Sequence, residues 1–251
     1  MAIILFIGGL YYILVPSSAQ SMFESTIDNI GLAEKDVTFT SIGDSLSFGI
    51  GDTDDHGYLG DVKKLYESKC NFNVNVEDYG VPDDTSRQLL ARLETINVKE
   101  ALSEANIIIV NIGTNDFLNS VGTSLFNLNT EKLQSGKKIY RSNLKKTIAK
   151  IRRENRTAPI YFVGLYNPYP EKLADTRLSR VIADWNNEIK SLASEKKNIN
   201  YIGTQKLFKG KEKATYFSDS LHPNELGYKL VSNKIFSEIK ENACFNSSTE
   251  K

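Results

Sequence analysis

The chain has 251 residues, with 31 Lys plus Arg set against 31 Asp plus Glu and an isoelectric point near 6.8. That length suits one domain with a tail, and the even charge, with no basic stripe, excludes the electrostatic footprint of a nucleic-acid-binding protein. No His, Cys and carboxylate cluster has metal-ligand spacing, and Gly49-Ile50-Gly51 lacks the lysine of a phosphate cradle, so neither metal nor cofactor is expected.

Ala2 to Val15 is an uncharged apolar run of 14 residues, followed by Pro16-Ser17-Ser18-Ala19-Gln20. The run is short of the roughly 20 residues of a membrane span and fits the apolar region of an export signal, with Ser17-x-Ala19 as a small-residue cleavage site. A positive leading region is missing, which a start placed too late would explain; a buried first helix or strand is the competing reading. Residues 1–19 are therefore read as a signal peptide or membrane anchor, 20–36 as a linker, 37–243 as one α/β domain and 244–251 as a tail. The expected location is extracytoplasmic, secreted or anchored at the cell surface.

Val37 to Ile42 reads as the first strand, and a helix over Tyr58 to Lys69 is apolar at Leu59, Val62, Leu65 and Tyr66. Strand two spans 72–79 and helix two 84–94, with Leu89, Leu90 and Leu93 inward. The third strand covers 106–112, a β-branched run that implies burial on both faces. Residues 117–136 have little periodicity and read as a substrate-side loop or lid. A helix over 137–154 leads to strand four, Ile160 to Leu165. A helix over 173–195 presents Leu178, Val181, Ile182, Trp185 and Ile189, strand five is 199–203, and the last helix, 223–241, carries Leu226, Leu230, Ile235 and Ile239. Strands alternating with helices imply a parallel sheet covered on both faces, with right-handed crossovers.

The chemistry concentrates where these strands stop. Ser41-Ile42-Gly43-Asp44-Ser45-Leu46-Ser47 ends the first strand, and Phe217-Ser218-Asp219-Ser220-Leu221-His222-Pro223-Asn224 precedes the last helix. Serine is a poor nucleophile at neutral pH and needs a base, which in turn needs a holder. The chain has two histidines, His56 and His222. His56 follows Asp54-Asp55 in a polar loop and reads as solvated, or as part of a site rim. His222 has Asp219 three positions earlier, so Ser45, His222 and Asp219 are the candidate triad. Asp44 reads as a turn residue. His222-Pro223-Asn224 also opens a helix, with Ser220 as its cap. Strand two ends at Gly80, and strand three breaks into Gly113-Thr114-Asn115-Asp116, which by itself is also an Asx turn. The carboxyl edge of an open parallel sheet is where ligands bind.

Over residues 37–240 these motifs resemble the SGNH, or GDSL, hydrolases, whose hallmark residues match Ser45, Gly80, Asn115 and His222, with Asp219 completing the triad. The resemblance implies a three-layer α/β/α, flavodoxin-like fold with a five-stranded parallel sheet. It also implies an oxyanion hole built from the Ser45 N–H, the Gly80 N–H and the Asn115 side-chain amide, and acyl-enzyme chemistry without a cofactor. Around Gly80 the family often reads Asn-x-Gly-x-x-Gly-Asp, whereas this chain reads Asp78-Tyr79-Gly80-Val81-Pro82-Asp83-Asp84, which brings Asp78 and Asp83 near the hole. The motif blocks look most like the lysophospholipase-like esterases and lipases of Gram-positive bacteria. Expected partners are a small-molecule or lipid ester and, through an uncleaved N-terminal segment, a membrane.

Two alternatives remain: a carbohydrate or cell-wall O-acetylesterase, and a surface protein that keeps the fold only to bind a ligand. Tyr161, Tyr166, Tyr169 and Phe117 would line an acyl groove or a sugar platform. The doubly wound order places the first and last helices on one face, so Cys70 and Cys244 are a candidate disulfide, against two separate thiols.

Overall fold

The computed structural model describes residues 35–53, 57–70, 72–122, 128–168 and 177–243. Its strands are β1 (Lys35–Gly43), β2 (Phe72–Gly80), β3 (Ile107–Asn111), β4 (Ile160–Val163) and β5 (Ile199–Ile202). They form one parallel sheet in the order β2-β1-β3-β4-β5. The helices between and after them are α1 (Ser45–Phe48), α2 (Gly57–Cys70), α3 (Ser86–Arg92), α4 (Ile96–Glu104), α5 (Thr114–Val121), α6 (Thr130–Glu154), α7 (Arg177–Ser194), α8 (Lys213–Tyr216) and α9 (Glu225–Ala243).

Strand periodicity sorts the core into two layers. Ile107 and Ile109 of β3, with Tyr161 and Val163 of β4, face Tyr58, Val62 and Tyr66 of α2 and Tyr228, Val231 and Ile235 of α9. Their neighbours Ile108, Val110, Ile160 and Phe162 face the other way, onto α3, α4, α6 and α7. Every residue of β3 and β4 is buried, which is why both read as unbroken apolar runs rather than alternating ones. The pairing of β1 with β3 runs from Phe39 opposite Ile107 to Gly43 opposite Asn111. Both strands therefore end together, and β1 is where the connections depart to opposite sides of the sheet.

The expected elements appear with several corrections. The helix expected over 84–94 is α3, which Leu93 closes, and a further helix that was not expected, α4, follows it, capped by Thr95. The stretch 117–136, expected as a loop, is largely helical: α5 runs to Val121 and α6 begins at Thr130, capped by Asn129, whose side chain accepts from the Lys132 N–H. Gly136 hid this helix. It stands inside α6 because a Cβ there would lie 1.9 Å from Ser120 Oγ on α5, so it serves a close helix contact rather than a turn. The last helix starts at Glu225, not 223, and its cap is Asn224, which accepts from the Gly227 N–H, rather than Ser220. Leu226, expected inward, is exposed; Tyr228 and Val231 take the inward positions.

Cys70, the last residue of α2, is disulfide-bonded. Cys244, residues 1–34, His56 and Tyr169 lie outside the described residues. Among the described residues no helix is long and apolar enough to cross a membrane.

One side chain ties three elements at the edge opposite the site. Asn155, just after α6, donates from Nδ2 to the Leu102 and Ala105 carbonyls and accepts at Oδ1 from the Thr157 and Ala158 N–H groups. Truncation leaves buried backbone groups unpaired, each costing about 1–3 kcal/mol. Asn155→Ala should therefore lower the unfolding free energy in urea by ~2–4 kcal/mol. A loss below ~0.5 kcal/mol, the range of ordinary surface changes, would show that these bonds do not hold the edge.

Candidate active site

Three strand ends and one loop converge here. After β1 the chain turns sharply: the Asp44 N–H donates to the Asn111 carbonyl at 3.1 Å, and Asp44 Oδ1 accepts from the Leu46 N–H at 3.0 Å. Asp44 is thus the N-cap of the short helix α1, which starts at Ser45. The Tyr58 hydroxyl lies 2.9 Å from both Ser41 Oγ and Ser47 Oγ, fixing the strand and the helix on either side of Ser45. Burial holds that phenol far above its ordinary range, so it stays a neutral hydrogen-bonding group.

His222 approaches from the loop before α9. Phe217 and Pro223 form an antiparallel bridge, and between them Asp219 Oδ1 accepts from the Leu221 and His222 N–H groups at 2.7 Å each. The other oxygen, Oδ2, lies 2.7 Å from His222 Nδ1, and His222 Nε2 lies 3.0 Å from Ser45 Oγ. The spacing Asp-x-x-His is therefore a local turn in which one carboxylate holds both the backbone and the ring. Partial burial pulls the Asp219 carboxyl up, but the bonds from the His222 backbone and ring and from Leu221 outweigh it and hold it at about 2. The Tyr166 hydroxyl donates to the Leu221 carbonyl at 2.6 Å and pins the loop from the β4 side. Sequence reading placed Tyr166 only in an aromatic group.

The Gly80 N–H and the Asn115 amide both already have partners. The Gly80 N–H donates to Asp78 Oδ1 at 2.8 Å, so it is already engaged. Gly80 is glycine for a steric reason: a Cβ there would lie 2.3 Å from the Phe48 backbone nitrogen, so only glycine lets β2 approach α1. Beyond it, Val81 donates to the Gly43 carbonyl and Asp84 to the Val81 carbonyl, closing a turn in which Asp83 has φ +66°. That is the left-handed region, uncommon for a residue with a side chain, and such residues cluster at functional sites. Asn115 Nδ2 donates to the Asp84 carbonyl at 2.9 Å, which orients the amide and leaves one of its two N–H groups.

Arg92 holds this arrangement together. Its Nε pairs with Asp84 Oδ2 at 2.6 Å, and its terminal nitrogens donate to the Tyr79 carbonyl at 2.9 Å and the Gly43 carbonyl at 3.0 Å. The ends of β1 and β2 and the Asp83 turn thus share one guanidinium. An Arg at the end of a helix gave no sequence signal, because its partners are backbone atoms remote in the chain.

Among the aromatics, Phe117 and Tyr166 line a small cavity of about 20 Å³, whose other walls include Thr114 and Leu221, the chain neighbours of Asn115 and His222, with Leu118, Leu165 and Ile182. Tyr161 does not reach the site; it is buried against α2 and α9. Among the described residues no group of His, Cys, Asp and Glu is arranged to hold a metal ion.

Carboxyls crowd the hole. Asp44 is wholly buried, its Oδ2 has no hydrogen-bond partner, and burial, with Asp116 and Asp84 nearby, raises it to about 7. The surrounding chain also raises Asp78 to about 6 by desolvation, against the opposing Gly80 N–H and Arg92, although Asp78 keeps an exposed face where Asp44 has none. For Asp44 the folded state keeps a proton that the unfolded chain loses near 3.8, so stability falls as pH rises from about 4 to about 7. Asp44→Asn keeps the cap acceptor and removes that slope. Thermal or urea unfolding should find the variant more stable than the parent at pH 8, by up to ~4 kcal/mol, with the gap closing toward pH 4. A variant less stable at pH 8 than at pH 4, relative to the parent, would contradict a carboxyl buried in its neutral form.

The model of the GDSL-like lipase/acylhydrolase family matches residues 41–230. The uncharacterised protein YpmR of Bacillus subtilis strain 168 is 30% identical over 209 residues, 82% of each chain. The spore germination lipase LipC of Bacillus licheniformis is 29% identical over 206 residues, 78% of this chain and 93% of the relative. Among solved structures, the lipase Lip_vut3 from a goat rumen metagenome aligns with a TM-score of 0.71 at 27% identity, covering 80% of this chain and 96% of that one. The acetylxylan esterase Axe2 of Geobacillus stearothermophilus shares the fold, with a TM-score of 0.64 at 19% identity over 82% of this chain and 95% of that one.

Proposed function

The chain belongs to the GDSL-like lipase/acylhydrolase family and is an ester-hydrolysing enzyme, and we propose that it works through a Ser45-His222-Asp219 triad and an acyl-enzyme. The observation that carries this reading is the continuous line from Asp219 Oδ2 through the imidazole to Ser45 Oγ, at 2.7 and 3.0 Å. With Nδ1–H donated to Asp219, Nε2 is left to accept the hydroxyl proton as Ser45 attacks the ester carbonyl. The same nitrogen then delivers the proton to the leaving alcohol, and Asp219 stabilises the imidazolium in between. Water repeats the sequence on the acyl-enzyme.

The oxyanion formed on attack is held by the Ser45 N–H at the start of α1, the remaining N–H of Asn115 Nδ2, and the Asp83 N–H. Asp83 replaces Gly80 in this role because the Gly80 N–H is donated to Asp78, while the Asp83 turn is tied to Gly43 at one end and to Asn115 at the other. Donors fixed in place before the reaction need no reorganisation when the charge appears.

The acyl group is short. The apolar cavity lined by Phe117, Tyr166 and Leu221 is small, about 20 Å³, which favours a short acyl group over the lysophospholipase-like reading that the motif blocks suggest. Export is supported by the apolar run Ala2 to Val15 and by the disulfide at Cys70, a bond that persists in oxidising compartments.

Ser45→Ala and His222→Ala should each lower turnover of p-nitrophenyl acetate by several orders of magnitude, since triad members act as a unit. Asn115→Ala should lower kcat by about 10²–10³ with little change in KM. Full activity after Ser45→Ala would remove the nucleophile assignment, and an effect of Asn115→Ala on KM alone would reduce that residue to positioning substrate. A higher kcat/KM for the decanoate than for the acetate would replace the short-acyl reading with the lysophospholipase-like one.

A further inference from the structure

The helix that follows Asn115 has two unlike faces. Thr114, Phe117 and Leu118 of α5 border the small apolar cavity. Asp116, Asn119 and Ser120, on the other face, border a larger open groove of about 380 Å³ between α3, α5 and α6. Asn115 lies in the chain between Thr114, which borders the cavity, and Asp116, which borders the groove. An ester likewise has two unlike parts on either side of its reacting carbon, the acyl chain and the alcohol.

The floor of the groove is a buried polar network spanning all three helices. Asn143 Nδ2 of α6 donates to Ser86 Oγ of α3, and Ser86 donates from its hydroxyl and its backbone N–H to the two oxygens of Asp116 on α5, at 2.6 and 2.7 Å. Burial raises the Asp116 carboxyl, with the Ser86 bonds and the Arg87 charge opposing. Around the mouth stand Arg87, Gln88 and Asn119, all exposed, and Ile139, 46% exposed. Gln88 Oε1 is taken by the Thr85 N–H and hydroxyl, so the group it offers is its NH₂.

We infer that this groove is the subsite for the alcohol portion of the substrate, and that the alcohol is uncharged and rich in hydroxyls, a sugar or glycerol unit. The inference rests on the proposal that Ser45 attacks an ester. Hydroxyls donate and accept at once, which suits a lining that mixes amide donors with carboxylate and amide acceptors. The one cation, Arg87, is balanced by the one carboxylate, Asp116, so the groove offers no net charge to an anionic or cationic headgroup. Ile139 gives the C–H face of a ring an apolar surface. An apolar alcohol would strip the amides, the carboxylate and Arg87 of water without replacing their hydrogen bonds.

The test compares 6-O-acetylglucose with ethyl acetate, which carry the same acyl group on unlike alcohols. The parent enzyme should show a kcat/KM for the sugar ester about ten-fold or more above that for ethyl acetate, the worth of one or two added hydrogen bonds. Asn119→Ala and Gln88→Ala, both at the exposed rim, should each raise KM for the sugar ester about 5- to 10-fold while leaving kcat/KM for ethyl acetate within about two-fold. A loss through general loosening would lower both substrates together. Equal use of the two esters by the parent, or equal effects of the variants on both, would overturn the subsite while leaving the esterase reading intact. A parent that prefers a choline- or phosphate-bearing acetyl ester over the sugar ester would overturn it as well. Inactivity on every ester, p-nitrophenyl acetate included, would overturn the nucleophile assignment and the subsite with it.

Discussion

A hydroxyl and an imidazole 177 positions apart must meet at 3.0 Å, and much of the fold is arranged to hold them there. Ser45 is fixed by the central strand pair, through the Asp44 N–H on Asn111 and the Tyr58 hydroxyl between Ser41 and Ser47. His222 hangs from a loop at the far end of the chain and would drift with it unless α9 were locked to the nucleophile side. Two bonds do this: the Tyr228 hydroxyl donates to the Ile50 carbonyl, just past α1, and Ser232 Oγ to the Tyr58 carbonyl in α2. The same helices share the buried aromatic layer of Tyr58, Tyr66, Phe236 and Tyr228. Packing and hydrogen bonding therefore act on one quantity, the Ser45–His222 distance.

Electrostatics sets the second constraint. The proposed oxyanion hole has Asp44, Asp78, Asp84 and Asp116 in its surroundings, an arrangement that would repel the proposed transition state if all were charged. The structure answers in two ways. Asp84 is paired with Arg92, and burial lifts Asp44 to about 7, so a proton can neutralise it near neutral pH, while Asp78 is lifted to about 6. Asp219 is treated in the opposite way and held at about 2, charged wherever the imidazolium needs it. Carboxyls of one chemical type are thereby pushed to different states by their surroundings, as acid–base sites require.

Several features were legible because they depend on near neighbours in the chain. β3 could be read from five consecutive buried residues, the helices from their apolar spacing, and the Asp219–His222 pair from a three-residue turn that closes on itself. The misreadings share a cause. Gly80 was read as a donor when its role is to let β2 lie against the Phe48 backbone, Gly136 was read as part of a loop when it admits Ser120, and Leu226 was placed inward at a helix start whose cap lies elsewhere. In each case the deciding contact comes from another element. Tyr166, Asp83 and Arg92 were missed for the same reason, since their bonds reach backbone atoms or follow from a turn angle that no motif records.

By itself the sequence determined the order of the strands, the buried parallel sheet and the pairing of Asp219 with His222, because periodicity and short-range side-chain chemistry are local properties. Only the tertiary structure decided which backbone N–H groups are occupied, how Arg92 binds two strand ends and the Asp83 turn, and that α5 divides a tight apolar cavity from a wide groove with polar side chains at its rim. Those depend on distances between residues remote in the chain, which packing sets and residue order alone does not express.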